Sequence, residues 1–307
     1  MKVLIVASHN SGRFVPFIVE QARALQCAGC EVEFFGLEGK GVKGYLGNLS
    51  ALKTKIKAFR PDVIHAHYGL SGLFSNLQRK VPVVTTYHGS DINDKKVLPF
   101  SKVAIRLSAW NVFVSRKTME IAAPQRNFSL VPCGIDFTDL QLTPQLEARE
   151  RMRLKADGHY VLFAGAFDNQ VKNAALAKSS VAGLGHEVEL MELKGYGRDE
   201  VTLLMCACDA FLLTSFSEGS PQVIKEAMAC GCPIVSVDVG DVKERVEGVD
   251  GCFVSSSFDE KELTELLKKA LTFKGKTNGR ERLAKDGLEN LNVASMLVRI
   301  YESVVQS

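Results

Sequence analysis

Short apolar runs alternate with segments of helical periodicity along the whole chain, and this alternation constrains the fold most strongly. The first run, residues 2–7, is almost continuously apolar, and a polar loop and apolar residues at helical spacing follow it. A second run begins at Glu31. Continuous apolar strands separated by helices are typical of parallel sheets that are buried on both faces. The pattern therefore predicts an α/β fold built from βαβ units.

The alternation occurs in both halves of the chain, which predicts two domains. A chain of 307 residues is long enough for two domains that each bury a core. We expect domains at residues 1–152 and 153–291, because the charged stretch around the boundary lacks strand character. A terminal helix at residues 292–307 should follow, with an apolar stripe that needs a partner surface. The stripe consists of Met296, Leu297, Ile300, Tyr301 and Val304.

The composition is that of an ordinary globular protein, with 46% hydrophobic and 24% charged residues. No apolar run approaches the roughly 20 residues that span a bilayer, and the first apolar run is too short for a signal peptide. The eight cysteines are scattered over predicted strands and helices, where buried thiols are expected. These features predict a cytoplasmic protein.

Two short motifs have the spacing of metal ligands but lack the rest of a site. Cys27 and Cys30 form a CxxC pair without a second pair, and His65 and His67 share one face of a strand without a third ligand. We therefore expect no metal site.

The charge is distributed unevenly between the two halves. Residues 1–152 hold 20 Lys and Arg against 12 Asp and Glu, whereas the remainder holds 18 against 23. A basic half favours an anionic partner surface. One candidate helix carries cations around apolar residues and could contact anionic lipid, although a solvated helix face explains it equally well. Its cations are Lys53, Lys55, Lys57 and Arg60, and its apolar residues are Leu52, Ile56 and Phe59.

The stretch 215–233 combines a loop, a helix and a turn. Gly219 loosens the chain after a buried strand, Ser220 can cap the next helix, and Pro221 fits its first turn. Gly231 and Pro233 end the helix. A helix that begins behind a glycine loop at the carboxyl end of a strand directs free amide groups towards an anion. The stretch therefore predicts a phosphate site.

Two carboxylates accompany this helix. Glu218 lies on the loop, and Glu226 lies about five residues into the helix, roughly 7 Å along its axis. Carboxylates do not hold a diphosphate, but they accept hydrogen bonds from the sugar and ribose hydroxyls on either side of it. The arrangement suits a nucleotide sugar. On spacing alone, a solvated carboxylate is the favoured interpretation of Glu226.

The segment from Glu218-Gly-Ser-Pro to Glu226-Ala-Met-Ala-Cys-Gly-Cys-Pro resembles the Glu-x7-Glu signature of retaining glycosyltransferases of family 4, the group 1 glycosyltransferases. The resemblance extends over nearly the whole chain. It implies the GT-B fold, in which two Rossmann-like domains face a cleft and a terminal helix packs back on the first domain. That fold usually works without a metal ion or cofactor.

Other segments are similar to further motifs of the family. His88 lies in a stretch similar to the family's His-Gly-x-Asp motif, although a lone histidine after a strand is ordinarily structural. Gly12 resembles the glycine of the first loop, with Ser11 in place of a second glycine. Lys172 matches a lysine that grips the diphosphate.

Two positions depart from the family's pattern. Cys133 stands where the family has asparagine, and Ala166 stands where it has an arginine at the diphosphate. Arg116 or Lys117 could replace that arginine. An arginine beside a leaving phosphate contributes strongly to such chemistry, so the change at Ala166 bears directly on activity.

The resemblance also implies the role of each residue. Glu218 would bind the donor sugar hydroxyls, Glu226 the ribose hydroxyls, and His88 the sugar beside the anomeric carbon, so that His88 and Glu218 are the catalytic residues. Lys172 and Gly12 would bind the diphosphate, together with the helix mouth formed by Gly219, Ser220 and Pro221. No metal is expected, because Lys172 and helix amides would stabilise the leaving charge.

The resulting hypothesis is a bacterial hexosyltransferase of polysaccharide or glycolipid biosynthesis. It would use a UDP- or GDP-linked sugar and a saccharide or lipid-linked acceptor, in the cytoplasm or peripherally on the inner face of an anionic membrane. No nucleic acid partner is expected. The alternatives are a nucleotide-sugar epimerase of the same fold and a catalytically weak nucleotide-sugar-binding protein. An oxidoreductase is disfavoured, because no G-x-G-x-x-G follows the first strand.

Overall fold

A computed structural model describes residues 1–39, 41–138, 140 and 142–306, over which the chain forms eleven strands and fifteen α-helices. The strands are β1 (Lys2–Ser8), β2 (Glu31–Leu37), β3 (Val63–His67), β4 (Val83–Tyr87), β5 (Trp110–Phe113), β6 (Phe128–Leu130), β7 (His159–Phe163), β8 (Val188–Glu192), β9 (Ala210–Leu213), β10 (Ile234–Val237) and β11 (Cys252–Ser255).

The helices follow the same chain order, with a 3₁₀ turn at Gln170–Lys172. They are α1 (Pro16–Cys27), α2 (Gly41–Leu46), α3 (Leu49–Phe59), α4 (Gly69–Asn76), α5 (Ser90–Asn93), α6 (Leu98–Leu107), α7 (Arg116–Ala122), α8 (Gln145–Arg151), α9 (Ala174–Ala182), α10 (Arg198–Ala207), α11 (Gln222–Ala229), α12 (Val242–Val246), α13 (Glu260–Thr272), α14 (Gly279–Lys285) and α15 (Asn290–Val305). In this described part of the chain, no helix combines the length and apolarity needed to cross a membrane.

The first compact unit comprises Met1–Gly134 and Leu288–Ser307. Its six strands form a parallel sheet in the order β2-β1-β3-β4-β5-β6. Successive side chains of a strand point to opposite faces. Val3 and Ile5 of β1 accordingly pack into a core with α1, whereas Leu4 and Val6 pack into a second core with α3. The predicted two-sided parallel sheet is confirmed.

The terminal helix α15 completes the core of the first unit. Leu297, Ile300 and Tyr301 are buried in the same cluster as Ile18 of α1. The hydroxyl of Tyr301 lies 2.6 Å from Nδ1 of the buried His65 on β3. The predicted return of the terminal helix to the first domain is thus confirmed. Met296, predicted in the apolar stripe, is 41% exposed instead.

The second compact unit comprises Ile135–Gly287. Its five strands form a second parallel sheet in the order β11-β10-β9-β7-β8. The inner strands β9 and β10 are buried along their whole length, which explains why all their residues except Ser236 are apolar. The fold class predicted from the sequence, two Rossmann-like α/β domains, is therefore confirmed.

The structure divides the chain between Gly134 and Ile135, upstream of the boundary at residue 152 expected from the sequence. The charged segment around residue 150 includes α8, which is part of the second unit. Arg149 of α8 is buried and donates hydrogen bonds to the carbonyl oxygen of Ala207 and to the Asp209 carboxylate, at 3.0 and 2.8 Å. The charged side chain of Arg149 is therefore part of the packing of the second unit.

Candidate functional site

Polar side chains of the first unit gather at the carboxyl edge of its sheet. His67 ends β3, His88 follows β4, and Cys133 follows β6. Nδ1 of His67 lies 3.0 Å from Nε2 of His88, and the Cys133 sulfur lies 3.7 Å from Nδ1 of His88. Both ring nitrogens of His88 therefore have protein partners that fix the orientation of the ring.

The carboxylate of Asp91 links the loop that follows β3 to the loop that contains His88. It accepts hydrogen bonds from the backbone amides of Gly69, His88 and Gly89 at 2.9, 3.0 and 2.9 Å. Gly89 has φ +115°, a conformation that favours glycine. Asp91 is buried, and this burial raises the pKa of its carboxyl to about 6. The His-Gly-x-Asp stretch thus works as one structural unit.

The buried histidines behind His88 are held in the neutral state. Burial lowers the pKa of His65 to about 3. Burial and the neighbouring rings of His65 and His88 also lower the pKa of His67 well below its ordinary value. His65 is hydrogen-bonded through Nε2 to Thr86 at 2.7 Å, in addition to its contact with Tyr301. In the described residues, Nε2 of His67 has no hydrogen-bond partner.

Gly12 lies in the exposed loop after β1, at the same edge of the first sheet. Its φ of +73° requires glycine, and its amide donates to the carbonyl oxygen of His9 at 2.9 Å. A Cβ atom at this position would meet nothing within 4 Å. The space beside Gly12 is therefore open.

In the second unit, Lys172 and Glu218 form an ion pair. Nζ of Lys172 donates to Oε1 of Glu218 at 2.7 Å, and the two side chains are 20% and 17% exposed. The lysine side chain passes over Gly165, where a Cβ atom would lie 2.8 Å from Cγ of Lys172. The hydroxyl of Thr214 donates to the carbonyl oxygen of Lys172 at 3.0 Å. The loops after β7 and β9 are thereby joined.

A second ion pair links α10 to α11. Nη1 of Arg198, the first residue of α10, donates to Oε1 of Glu226 at 2.6 Å. Glu226 is the fifth residue of α11, as predicted, and it is buried. Arg198 was not anticipated from the sequence, because 28 residues separate it from its partner. The nearby Gly195-x-Gly197 turn before α10 is the one local signal of a loop at this place.

The turn that follows β10 holds the loop between Glu218 and Glu226 in place. Ser220 was predicted to cap α11, but its hydroxyl donates to the Asp241 carboxylate at 2.8 Å, and Pro221 occupies the N-cap position. Asp241 is buried, which raises its carboxyl pKa. A Cβ atom on Gly240 would lie 2.6 Å from the carbonyl oxygen of Gly219. The Ser220 capping prediction is wrong, because α11 begins one residue later than expected and Ser220 lies before the N-cap position.

The second unit therefore presents two cations, two carboxylates and a helix N-terminus at the carboxyl edge of its sheet. Cations and helix amides suit a diphosphate, and carboxylates suit sugar hydroxyls. The structure brings Lys172 and Glu218 into contact and places Gly219, Ser220 and Pro221 between Glu218 and α11. Within the described residues, no three His, Cys, Asp or Glu side chains are grouped as metal ligands.

Solved structures share this fold. Sucrose-phosphate synthase from Thermosynechococcus elongatus matches with a TM-score of 0.85 at 17% identity, over 100% of this chain and 99% of that chain. HepE from Anabaena, solved in complex with UDP, matches with a TM-score of 0.76 at 15% identity, over 99% and 100% of the two chains. The fold is that of the GT-B class.

Family models match most of the chain. A model described as Glycosyl transferases group 1 matches residues 139–272, and one described as Glycosyltransferase Family 4 matches residues 34–139. The chain belongs to this family, the group 1 glycosyltransferases of family 4, as its motifs indicated.

Curated relatives are similar over part of their length. TuaC of Bacillus subtilis, named for teichuronic acid biosynthesis, is 31% identical in an alignment 224 residues long that covers 63% of this chain and 57% of the relative. WcaL of Escherichia coli, named for colanic acid biosynthesis, is 24% identical in an alignment 263 residues long that covers 71% of this chain and 64% of the relative. The chain thus spans about three fifths of the length of these relatives.

Acidification should destabilise the first unit, because His65 and His67 are neutral in the folded state. The unfolded chain protonates both rings near pH 6.5, so it binds more protons at pH 5 than the folded unit does. Asp91 opposes this, since its carboxyl has a raised pKa of about 6 in the folded state. The destabilisation from the two rings is larger than the stabilisation from the one carboxyl, so the free energy of unfolding should fall by about 2 kcal/mol from pH 7 to pH 5.

The measurement is urea unfolding at both pH values, followed by tryptophan fluorescence. Trp110, the only tryptophan of the sequence, lies on β5 and reports the first unit. An equal or larger free energy of unfolding at pH 5 would show that the two rings are not held neutral.

Gly240→Ala should destabilise the second unit more than Gly248→Ala does. Both glycines have positive φ, +56° and +72°, so both substitutions strain the backbone. Only at Gly240 would the new Cβ also collide with a backbone oxygen, whereas nothing lies within 4 Å at Gly248. We expect an additional loss of about 1–2 kcal/mol in the free energy of unfolding. Equal thermal midpoints for the two variants would contradict the close approach of the loops.

Proposed function

We propose that this protein transfers a hexosyl group from a nucleoside diphosphate sugar to a hydroxyl group of a saccharide or lipid-linked acceptor, with retention of anomeric configuration. The observation that carries the proposal is the set of two ion pairs, Lys172–Glu218 and Arg198–Glu226, around the N-terminus of α11. Family membership supports the reaction class. The names of TuaC and WcaL support a role in assembling a bacterial polysaccharide.

UDP is the favoured donor nucleotide, with GDP as the alternative. HepE of the same fold was solved with UDP and with UDP-glucose. In our proposal, Glu226 accepts hydrogen bonds from the ribose hydroxyls, and Glu218 accepts them from the hydroxyls of the sugar. Lys172, Gly12 and the amide groups at the start of α11 bind the diphosphate.

Arg198 supplies the second cation of the donor site. Ala166 brings no charge to the loop after β7, and Arg116 and Lys117 lie on the exposed first turn of α7 in the first unit. Arg198 already contacts the carboxylate that we assign to the ribose. We therefore assign to Arg198 part of the electrostatic role that an arginine at position 166 would have.

His88 is assigned to the donor sugar beside the anomeric carbon. Its two ring nitrogens contact His67 at 3.0 Å and the Cys133 sulfur at 3.7 Å. To bind a hydroxyl group, the ring gives up one of these contacts. The thiol is the weaker hydrogen-bonding group, so Nδ1 is the nitrogen that exchanges its partner for the sugar.

The reaction breaks the bond between the anomeric carbon and the diphosphate oxygen and forms one to the acceptor oxygen on the same face. The leaving diphosphate takes the acceptor's proton, and Lys172 and the helix amides stabilise its charge. The proposal includes no metal ion, so transfer should continue in EDTA. The protein would act in the cytoplasm or peripherally on the inner face of the membrane.

The donor nucleotide should raise the thermal midpoint of the wild-type protein and not that of Glu226→Ala. A ligand at 100 times its dissociation constant stabilises by about 2.7 kcal/mol, and each kcal/mol moves the midpoint by roughly 2–4 °C at this size. UDP, GDP, their sugars and NAD are compared. Glu265→Ala, a change at an exposed carboxylate of α13, is the matched control and should keep the shift. No shift with any nucleotide would remove the proposed donor site.

Glu218→Gln should reduce transfer at least about 100-fold while the protein stays folded, because the amide keeps the shape of the side chain but loses its charge beside Lys172. Transfer to saccharide and lipid-linked acceptors is measured with the matched donor, and the anomeric coupling constant of the product reports retention. Glu265→Gln should react at the wild-type rate. Wild-type rates in Glu218→Gln would refute the assignment, and conversion of the donor sugar without an acceptor would identify an epimerase.

A further inference from the structure

Helix α6 of the first unit presents an apolar stripe to solvent. Phe100, Val103 and Leu107 are 41%, 43% and 50% exposed, and their spacing of three and four residues places them on one side of the helix. Ile121 on α7 is exposed as well. Single exposed apolar side chains are ordinary in soluble proteins, but three of them along one side of a helix indicate an interaction surface.

The buried face of α6, which adjoins the stripe, fixes this orientation. Ser101 and Ala104 are fully buried, and the Ser101 hydroxyl donates to the carbonyl oxygen of Asp91 at 2.7 Å. Helix α4 packs closely at this point, because a Cβ atom on Gly69 would lie 2.0 Å from the hydroxyl oxygen of Ser101. The helix therefore cannot rotate its apolar stripe inward without breaking these contacts.

The surroundings of the stripe are basic. Residues 94–126 contain seven Lys and Arg against two carboxylates, Asp94 and Glu120. Lys102 and Arg106 lie one turn apart on α6, and with Arg126 they line a groove of about 240 Å³. Across the described residues, none of these three cations forms an ion pair. The seven cations are Lys95, Lys96, Lys102, Arg106, Arg116, Lys117 and Arg126.

An exposed apolar stripe flanked by cations fits an anionic bilayer surface. Apolar side chains enter the boundary between head groups and acyl chains, and the cations meet the lipid phosphates. A nucleic acid would use the cations but leave the apolar stripe in water. A second copy of the chain would bring the same cations against one another in a two-fold contact.

We propose that the exposed apolar and cationic side chains of residues 94–126, here called the α6 surface, dock the first unit on an anionic lipid bilayer. This proposal rests on one part of the proposed function, the peripheral contact with a membrane. It does not depend on the sugar or the acceptor.

Helix α3, the candidate from the sequence, lacks the apolar part of such a surface. Its apolar residues Leu52, Ile56 and Phe59 are buried in the core of the first unit. Lys55 is paired with Glu33. The helix therefore offers charge without apolar side chains, which makes it a matched control for the α6 surface.

The test is co-sedimentation with vesicles of phosphatidylglycerol and phosphatidylcholine, without donor or acceptor, so that its outcome is independent of transfer. The wild-type protein should bind vesicles that contain phosphatidylglycerol and not those of phosphatidylcholine alone. Lys102→Glu with Arg106→Glu should weaken binding at least about 25-fold, since each cation near the membrane contributes about fivefold. Phe100→Ser with Leu107→Ser should weaken binding about tenfold.

Lys53→Glu with Lys57→Glu makes the same change of charge on α3 and should leave binding within about threefold of wild type. Tryptophan fluorescence confirms that each variant is folded. Wild-type binding by the α6 variants, or equal losses in the α3 variant, would overturn the proposal. A wild-type dimer that Phe100→Ser converts to a monomer would assign the surface to self-association and overturn it as well.

Discussion

Parallel strands all end at the same edge of their sheet, and the contacts of the candidate site depend on this constraint. In the second unit, Lys172 follows β7, Glu218 follows β9 and Asp241 follows β10. The loops that carry them are distant in sequence but lie side by side, so that Lys172 bonds to Glu218 and Asp241 bonds to Ser220. The first unit does the same with His67, His88 and Cys133. In both units, helices cover the faces of the sheet, so the edge is where polar side chains can gather.

Local sequence patterns predict those strands and helices whose buried residues leave an apolar pattern in the sequence. The apolar runs identify most strands, and the motif around Glu218 and Glu226 identifies the helix that carries the second carboxylate. Contacts between distant segments leave no local pattern, which is why Arg198 and Asp241 were missed and why the hydroxyl of Ser220 was given the wrong partner. Helix α6 was also missed, although Phe100, Val103 and Leu107 recur at helical spacing in the sequence. Spacing of this kind does not show that these three side chains face solvent.

The carboxylates of the second unit are charge-compensated by the protein itself. Glu226 is buried and would be costly to leave as an unpaired anion, and the guanidinium of Arg198 offsets that cost. Glu218 has Lys172 as its counterion in the same way. Under the proposed function, a donor diphosphate would compete with these carboxylates for cations that are already in position. Its binding would redistribute existing ion pairs and would not require new ones to be assembled.

The place of α15 in the first unit sets the order in which the chain can complete its fold. The core of that unit includes Val293, Leu297 and Tyr301, yet the whole of the second unit, Ile135–Gly287, lies between them and the first sheet in sequence. A ribosome therefore finishes the second unit before it releases the segment that seals the first. Until then the α1 side of the first sheet is uncovered where α15 will pack, and Nδ1 of His65 lacks the hydroxyl of Tyr301. For the nascent chain, the part made first is the part completed last.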